Sequence, residues 1–383
     1  MKFSFKCLVA MSRVSYNEIY KYSPPSWCKH LKKCPTHRAA LALTPTPIHA
    51  WKVPGLPEDV KLFVKRDDMT GAALSGNKVR KLEFLLANAI QKGCGSVITC
   101  GALQSNHCRA TAVAASQLGL ETHLLLRSEE DVDAIRSSGN LFLSQMCNAN
   151  VYLVPKRAKY ETDLKPRQEA LAEAILKKTG KPAYLICVGG SDSVGLHGYL
   201  NAWHELLDQK VQDNFDDVIV TCGSGGTIAG ISIGNYLTGG KLKIHAVAVC
   251  DDAAYFHGHI NSMLEEIGLG SETRSEDIVD IIEGYKGAGY GISTPEDHEL
   301  YRKLAAATGI FCDPVYSGKG IKGLISELNV NRKCFKGDRI LFVHTGGIFG
   351  LYDGRMFDFF EKDVKRIYDW KDIEKSANGF LES

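Results

Sequence analysis

Two hydrophobic rhythms alternate along the chain. Short apolar blocks recur at Val60–Lys65, Ser96–Cys100, Glu121–Arg127, Val151–Pro155, Ala183–Val188, Val218–Cys222, Ile244–Cys250 and Arg339–Val343. Their length and β-branched content predict strands. Between them apolar residues return at helical spacing. Leu82, Leu85, Leu86 and Ile90 predict a helix that starts near Lys78 and stops at Gly93. Ser75 and Asn77 are expected to cap it, because their short side chains accept from free N–H groups. Ser105–Leu118, Leu141–Cys147, Glu161–Lys178 and Ile228–Leu237 predict further helices. So does Val194–Leu207, with Leu196, Tyr199, Leu200, Trp203, Leu206 and Leu207 on its apolar face. Another opens near His257-Gly258-His259 and runs to about Ile267. Ser293-Thr294-Pro295, with Asp297 close behind, signals the start of a helix reaching Thr308.

Strands that alternate with helices predict an α/β protein whose parallel sheets are covered on both faces. The pattern restarts after Gly189-Gly190-Ser191. Two α/β domains with a cleft between them are expected. A length of 383 residues agrees, being too long for one ordinary core. Hydrophobic content of 44% with 23% charged residues describes a globular protein. A net charge of +2 offers no bulk attraction to nucleic acid or an acidic membrane. No apolar run approaches the ~20 residues of a membrane span.

The 12 cysteines are scattered and form no C-x-x-C pair. Cys94, Cys100, Cys187, Cys222 and Cys250 read as buried small hydrophobes, which fits an intracellular protein with reduced thiols. Residues 1–37 form a basic arm with Glu18 as its only acid. Lys2, Lys6 and Arg13 among apolar and hydroxyl residues are compatible with a mitochondrial presequence. Cys7–Met11 is too short for the apolar region of a secretory signal, which spans ~7–15 residues. Cytoplasm is the expected location, with the mitochondrion as the alternative.

Ligands of open α/β sheets bind at the carboxyl ends of the strands. Four such exits are rich in small and hydroxyl residues: Gly101 to His107, Gly189 to Ser193, Gly223-Ser224-Gly225-Gly226-Thr227, and His344-Thr345-Gly346-Gly347. The third is the most telling. Glycines between a strand and a helix let backbone N–H groups converge, and the helix start adds positive potential. The alternative is a tight turn and nothing more. The dinucleotide fingerprint is absent, because Ile228 stands at its last glycine. A Walker loop is absent too, because Asn77 separates Lys78 from Gly76 and Val79 stands where Ser or Thr belongs. A single monophosphate is favoured over a nucleotide. Lys78, where a loop gives way to a helix, is the candidate nucleophile, although Lys78, Arg80 and Lys81 also read as a solvated basic face. His257 and His259, two apart with no partner in view, read as a surface turn rather than a metal pair. One reactive lysine, a monophosphate cradle and no metal set suggest pyridoxal phosphate.

Ser75-Gly76-Asn77-Lys78-Val79-Arg80-Lys81-Leu82-Glu83, Gln104-Ser105-Asn106, Asp313-Pro314-Val315-Tyr316-Ser317-Gly318-Lys319 and His344-Thr345-Gly346-Gly347 occur in that order. Together they resemble the family of 1-aminocyclopropane-1-carboxylate (ACC) deaminase and D-cysteine desulfhydrase, over about Pro24 to Asp358. The resemblance implies a tryptophan-synthase-β-like fold (fold type II), with two open, twisted, mostly parallel sheets flanked by helices. A small domain, 81–192, would be inserted into a larger one made of 38–80 and 193–383. Lys78 would be the Schiff-base lysine. Asn106 would bond the ring hydroxyl, and Ser105, Asn106 and His107 would hold the substrate carboxylate. Ser224, Gly225, Gly226 and Thr227 would hold the phosphate. Tyr290 and Tyr316 match the two active-site tyrosines, completing a catalytic set with Lys78 and Ser105. Ring-opening members are expected to carry Glu where this chain has Ser317, and Leu where it has Thr345. A carboxylate beside the pyridine nitrogen deepens the electron sink, which ring opening needs. A hydroxyl does so less, and thiolate already leaves well. The resemblance therefore implies β-elimination from D-cysteine, giving pyruvate, hydrogen sulfide and ammonia. ACC deamination to 2-oxobutyrate, and a cofactor-binding protein without turnover, are the alternatives. The partner is a small amino acid, and a homodimer is usual for the fold.

Overall fold

The computed structural model describes residues 15–361 and 367. Lys2, Lys6 and Arg13 of the basic arm lie outside the described residues. The chain opens with an antiparallel ribbon of β1 (Ile19–Lys21) and β2 (His37–Ala39). β3 (Ile48–Ala50), β4 (Lys61–Lys65) and α1 (Lys78–Gln91) follow. Then come β5 (Ser96–Ala102), α2 (Asn106–Gln117), β6 (Glu121–Ser128), α3 (Gly139–Met146), β7 (Asn150–Pro155), α4 (Lys165–Thr179) and β8 (Ala183–Leu185). The next stretch holds α5 (Leu196–Asp208), α6 (Val211–Asn214), β9 (Asp217–Cys222), α7 (Gly226–Leu237), β10 (Lys243–Ala248), α8 (Ala253–Ile267), α9 (Ser275–Ile278) and β11 (Asp280–Ile282). The last part holds α10 (Pro295–Thr308), α11 (Ser317–Val330), β12 (Arg339–Val343) and α12 (Phe357–Phe359).

The strands build two main sheets. One is four-stranded and wholly parallel, in the order β7-β6-β5-β8. The other is six-stranded, in the order β11-β10-β9-β12-β4-β3, and parallel except for β3. β9 is buried at every position, as a central strand covered on both faces must be. α1 packs against α2 and α5, with Leu82, Leu85 and Leu86 buried. Each such side chain contributes roughly 1.5–3 kcal/mol on burial. Among the described residues, no helix is long and apolar enough to cross a membrane.

The alternation read from sequence is the observed one, with instructive departures. The Thr294 hydroxyl accepts from the Asp297 N–H and the Asp297 carboxylate from the Thr294 N–H, so that capping signal is real. The expected helix from Glu161 begins as a π-turn over Tyr160–Leu164, and α4 proper starts only at Lys165, next to Pro166. The strand expected to reach Val188 ends at Leu185, because Gly189 and Gly190 turn the chain at positive φ. α8 starts before His257, because the Asp252 carboxylate accepts from Tyr255 N–H at 2.8 Å. His257 and His259 thus stand on a helix, not a surface turn. Ser75 and Asn77 do not cap α1. The Ser75 hydroxyl donates to the Asp68 carbonyl at 2.8 Å, and the Asn77 amide to Thr227 Oγ1 at 2.9 Å.

Candidate active site

The segments that follow β4, β5, β9 and β12 supply Asn77, Lys78, Asn106, Ser224 and Thr345 to one pocket. Lys78 is the first residue of α1. Its loop is stitched to two others: the Asn77 N–H donates to the Thr345 carbonyl at 3.1 Å, and the Asn77 side chain reaches Thr227. Gly76, at φ +109°, lets the backbones close up, since a Cβ there would lie 2.9 Å from the Thr345 carbonyl. Lys78 Nζ lies 3.5 Å from Ser224 Oγ, which is 2.8 Å from Ser191 Oγ. Desolvation pulls the Lys78 ammonium down to about 8, against a weaker upward pull from the Cys187, Cys222, Cys250 and Cys108 thiols. A lysine with that value holds a usable fraction of free amine near neutrality.

The solvated basic face is not what forms. Arg80 and Lys81 are each 1% exposed. The Arg80 guanidinium donates to both Asp67 oxygens, at 2.9 and 2.8 Å, and to Glu205 at 2.9 Å. Lys65 pairs with the same Glu205, and the Tyr199 hydroxyl donates to Asp67 at 2.6 Å. This network ties α1 to β4 and α5 directly behind Lys78. Lys81 donates to the Gly189 carbonyl at 3.2 Å and to Ser191 Oγ at 3.1 Å. A Cβ on Gly226 would come within 2.8 Å of its ammonium. Sequence reasoning missed Lys81, although its place three residues after Lys78 puts both on one helix face.

The glycine loop lies between β9 and α7. Gly225 takes φ +80°, and a Cβ on it would meet the His259 ring at 2.7 Å. The free N–H groups at the start of α7 open onto a pocket. Lys78, Asn106, Ser224, Gly225, Tyr316 and Thr345 are among the residues that line it, and none of its lining residues carries a carboxylate. Asn106 opens α2, and its Oδ1 is buried with no partner. Ser105 caps α2, its hydroxyl accepting from the Cys108 N–H at 3.2 Å. The His107 ring turns into the sheet, with Nε2 2.9 Å from Thr99 Oγ1. Thr99 donates to the Ile186 carbonyl at 3.1 Å, so His107 is the donor of that pair, from Nε2. Burial drives the His107 pKa far down, and the ring stays neutral. Asn106 alone of these three lines the cavity.

Tyr290 Oη and Tyr316 Oη are 2.7 Å apart. Tyr290 is 42% exposed as a residue, yet desolvation of its hydroxyl end pushes that group up to about 12, with the bond to Tyr316 opposing. Tyr316 is raised as well, by desolvation and then by Tyr290. Ser317 is fully buried behind the wall. Its hydroxyl donates to Asp313 Oδ1 at 2.6 Å rather than facing the cavity. The Asp313 carboxylate also accepts from the Val315, Tyr316 and Ser317 N–H groups, so it shapes the turn into α11.

These residues fit pyridoxal phosphate. The glycine cradle and helix start suit a phosphate. Asn106 Oδ1 is a buried acceptor awaiting a donor. Lys78 is a desolvated amine with no carboxylate partner beside it. Fold and site together define a pyridoxal-phosphate-dependent enzyme of fold type II.

Comparison with known proteins agrees. The family described as pyridoxal-phosphate dependent enzyme matches residues 39–346. The chain is 48% identical over 341 residues to the bifunctional D-cysteine desulfhydrase/1-aminocyclopropane-1-carboxylate deaminase, mitochondrial, of Arabidopsis thaliana, covering 87% of this chain and 83% of that protein. The crystal structure of an ACC deaminase homologue is 35% identical, with a TM-score of 0.72, over 86% of this chain and 97% of that one. O-ureido-L-serine synthase, at 15% identity and a TM-score of 0.59, shares the fold, over 86% of this chain and 96% of that one. The chain belongs to the D-cysteine desulfhydrase and ACC deaminase family of pyridoxal-phosphate-dependent lyases.

Proposed function

We propose that the protein eliminates sulfide from D-cysteine, giving pyruvate, hydrogen sulfide and ammonia with uptake of one water. The observation that carries this reading is the acid-free cavity wall: the residues facing the cofactor site offer Thr345 and amides, and Ser317 stands behind with its hydroxyl given to Asp313. Pyridoxal phosphate, when bound, supplies an aldehyde for the substrate amine and an electron sink for its Cα. The chain's own residues do the rest. Ser224, Gly225, Gly226 and Thr227 hold the phosphate, with Lys81 behind Gly226. Asn106 takes the ring hydroxyl on its free Oδ1. The start of α2, at Asn106 and His107, orients the substrate carboxylate with its free N–H groups, and Ser105 caps that start. Lys78 Nζ, once freed by the incoming substrate amine, takes the Cα proton. Tyr290 Oη gives its proton to the departing sulfur, while Tyr316 O–H stabilises the resulting phenolate.

The second reading is ACC deamination to 2-oxobutyrate and ammonia. It is favoured by the Arabidopsis relative, whose name carries both activities. That name also includes a mitochondrial location, and the basic start of this chain agrees with it. The purified holoenzyme is expected to release sulfide and pyruvate in equal amounts from D-cysteine. Lys78→Ala should lower that rate at least about 10²-fold, since general acid–base catalysis alone is worth about 10²–10⁴. Undiminished turnover in Lys78→Ala would remove Lys78 from the mechanism.

A further inference from the structure

Tyr290 reaches the site on a segment that its own sequence does little to hold. Residues 284–291 contain Gly284, Gly287, Gly289 and Gly291, all at positive φ. A segment of this composition, left unrestrained, samples many shapes. Yet the Tyr290 hydroxyl meets Tyr316 at 2.7 Å. The carbonyls on either side of Tyr290 show what holds it. Lys319 Nζ donates to the Gly289 carbonyl at 2.9 Å and to the Lys286 carbonyl at 2.6 Å. Arg355 Nη1 donates to the Gly291 carbonyl at 2.7 Å. Asp353 orients Arg355 in turn, at 2.6 Å.

Lys319 is 3% exposed, and these hydrogen bonds go to carbonyls rather than to a carboxylate. Burying an ammonium in this way is costly. Desolvation accordingly lowers its pKa, while Asp297 and Asp313 raise it and Lys322 and Arg355 lower it further. Tyr316 and Lys319 both belong to the start of α11, where the Gly320 N–H donates to the Tyr316 carbonyl at 2.9 Å. One rigid helical turn therefore sets the distance between the receiving phenol and the residue that grips the loop.

We propose that Lys319 and Arg355 are positioning residues that clamp the backbone on both sides of Tyr290, and so set the Tyr290–Tyr316 contact. This rests on the proton-donating role given to Tyr290 above. The clamp holds no substrate and acts only through Tyr290. Lys319→Met keeps the aliphatic stem and removes the grip, and Lys319→Arg keeps a cationic donor.

The test compares these holoenzyme variants with Tyr290→Phe and Lys319→Met/Tyr290→Phe. One readout needs no substrate: tyrosinate absorbance followed through an alkaline titration. Lys319→Met is expected to add one phenol titrating near the ordinary value of about 10. That phenol should be absent from the double variant and from Lys319→Arg. The second readout is kcat on D-cysteine. Tyr290→Phe should lose roughly 10²–10⁴-fold, the range of general acid catalysis, and Lys319→Met should lose no more than that. The double variant should be no slower than Tyr290→Phe. An unchanged titration, or losses that multiply in the double variant, would overturn the clamp. Arg355→Gln, which frees the other side of Tyr290, gives the same readouts if Lys319→Met does not fold. A shifted titration in an enzyme inactive on D-cysteine would keep the clamp and remove the substrate assignment.

Discussion

At the scale of single residues, the site depends on what desolvation does to charge. Lys78 is brought to about 8 by burial with no carboxylate to restore it. Capture of pyridoxal phosphate by the apoprotein should therefore rise in rate through about pH 8, and a rise centred near 10.5 would contradict the buried amine. Two residues further on, Arg80 is fully buried and paired with Asp67 and Glu205. Burial alone would raise the Asp67 carboxyl, and Arg80 and Lys65 more than reverse this. Asp67→Asn would leave Arg80 and Lys65 short of a counter-charge. Unfolding by urea should show a loss of about 3–5 kcal/mol, the usual result of breaking a buried pair. The placement of Lys78 at a helix start, and of Gly223-Ser224-Gly225-Gly226 between a strand and a helix, was legible in the sequence by type and spacing. Asn77 and Ser317 were not. Asn77 bonds Thr227 across 150 positions of chain and Ser317 turns back onto Asp313, and no local pattern records either choice.

At the scale of elements, close backbone contact explains what periodicity missed. α11 was not foreseen, because Gly318, Gly320 and Gly323 argue against a helix on propensity alone. Packing overrides propensity there: a Cβ on Gly320 would run into Thr221 of β9. The same device joins α5 to α7, where a Cβ on Gly230 would run into Tyr199. Gly230→Ala should lower stability by about 1–3 kcal/mol through overpacking, read by thermal denaturation. An unchanged melting temperature would show that α7 can shift freely, contrary to this account. At the edge of the larger sheet, His245 joins β9, β10 and β11 by donating to Asp217 at 2.8 Å and to Asp280 at 2.9 Å. Burial pushes its pKa down, but the two carboxylates raise it above 6.5 overall. The folded state thus holds the proton more tightly than the unfolded one. This contribution is complete below about 6.5 and is lost as pH rises through the folded value. The stability advantage of the wild type over His245→Gln should shrink across that rise, and an advantage that grows with pH would reverse the assignment.

At the scale of the whole molecule, the alternation of strands and helices told most of the story. Strands from 96 to 185 form one sheet, and strands from 48–65 and 217–343 form the other. The alternation did not show that α1, packed against α2 and α5, brings Lys78 into one pocket with the glycine loop. It also did not show how much buried positive charge gathers there. Lys78 and Lys81 stand side by side, with Arg109 close behind bonding the Ala73 and Ser75 carbonyls at 2.6 and 3.0 Å. Burial lowers the pKa values of Lys78 and Lys81, and a phosphate beside them favours their charged forms, so the cofactor should stabilise the fold as well as equip it. A ligand at about 100 times its Kd adds about 2.7 kcal/mol. The holoenzyme should melt several degrees above the apoprotein, and equal melting temperatures would mean that the phosphate does not sit in the cradle.

The measurement that bears most directly on the proposed chemistry is kcat/KM for D-cysteine and for ACC on one preparation of holoenzyme. Sulfide and pyruvate are read for the first substrate and 2-oxobutyrate for the second. The acid-free wall and the buried Ser317 predict a clear preference for D-cysteine. A preference for ACC would leave the fold, the lysine and the cofactor in place, and would contradict the assignment of the reaction.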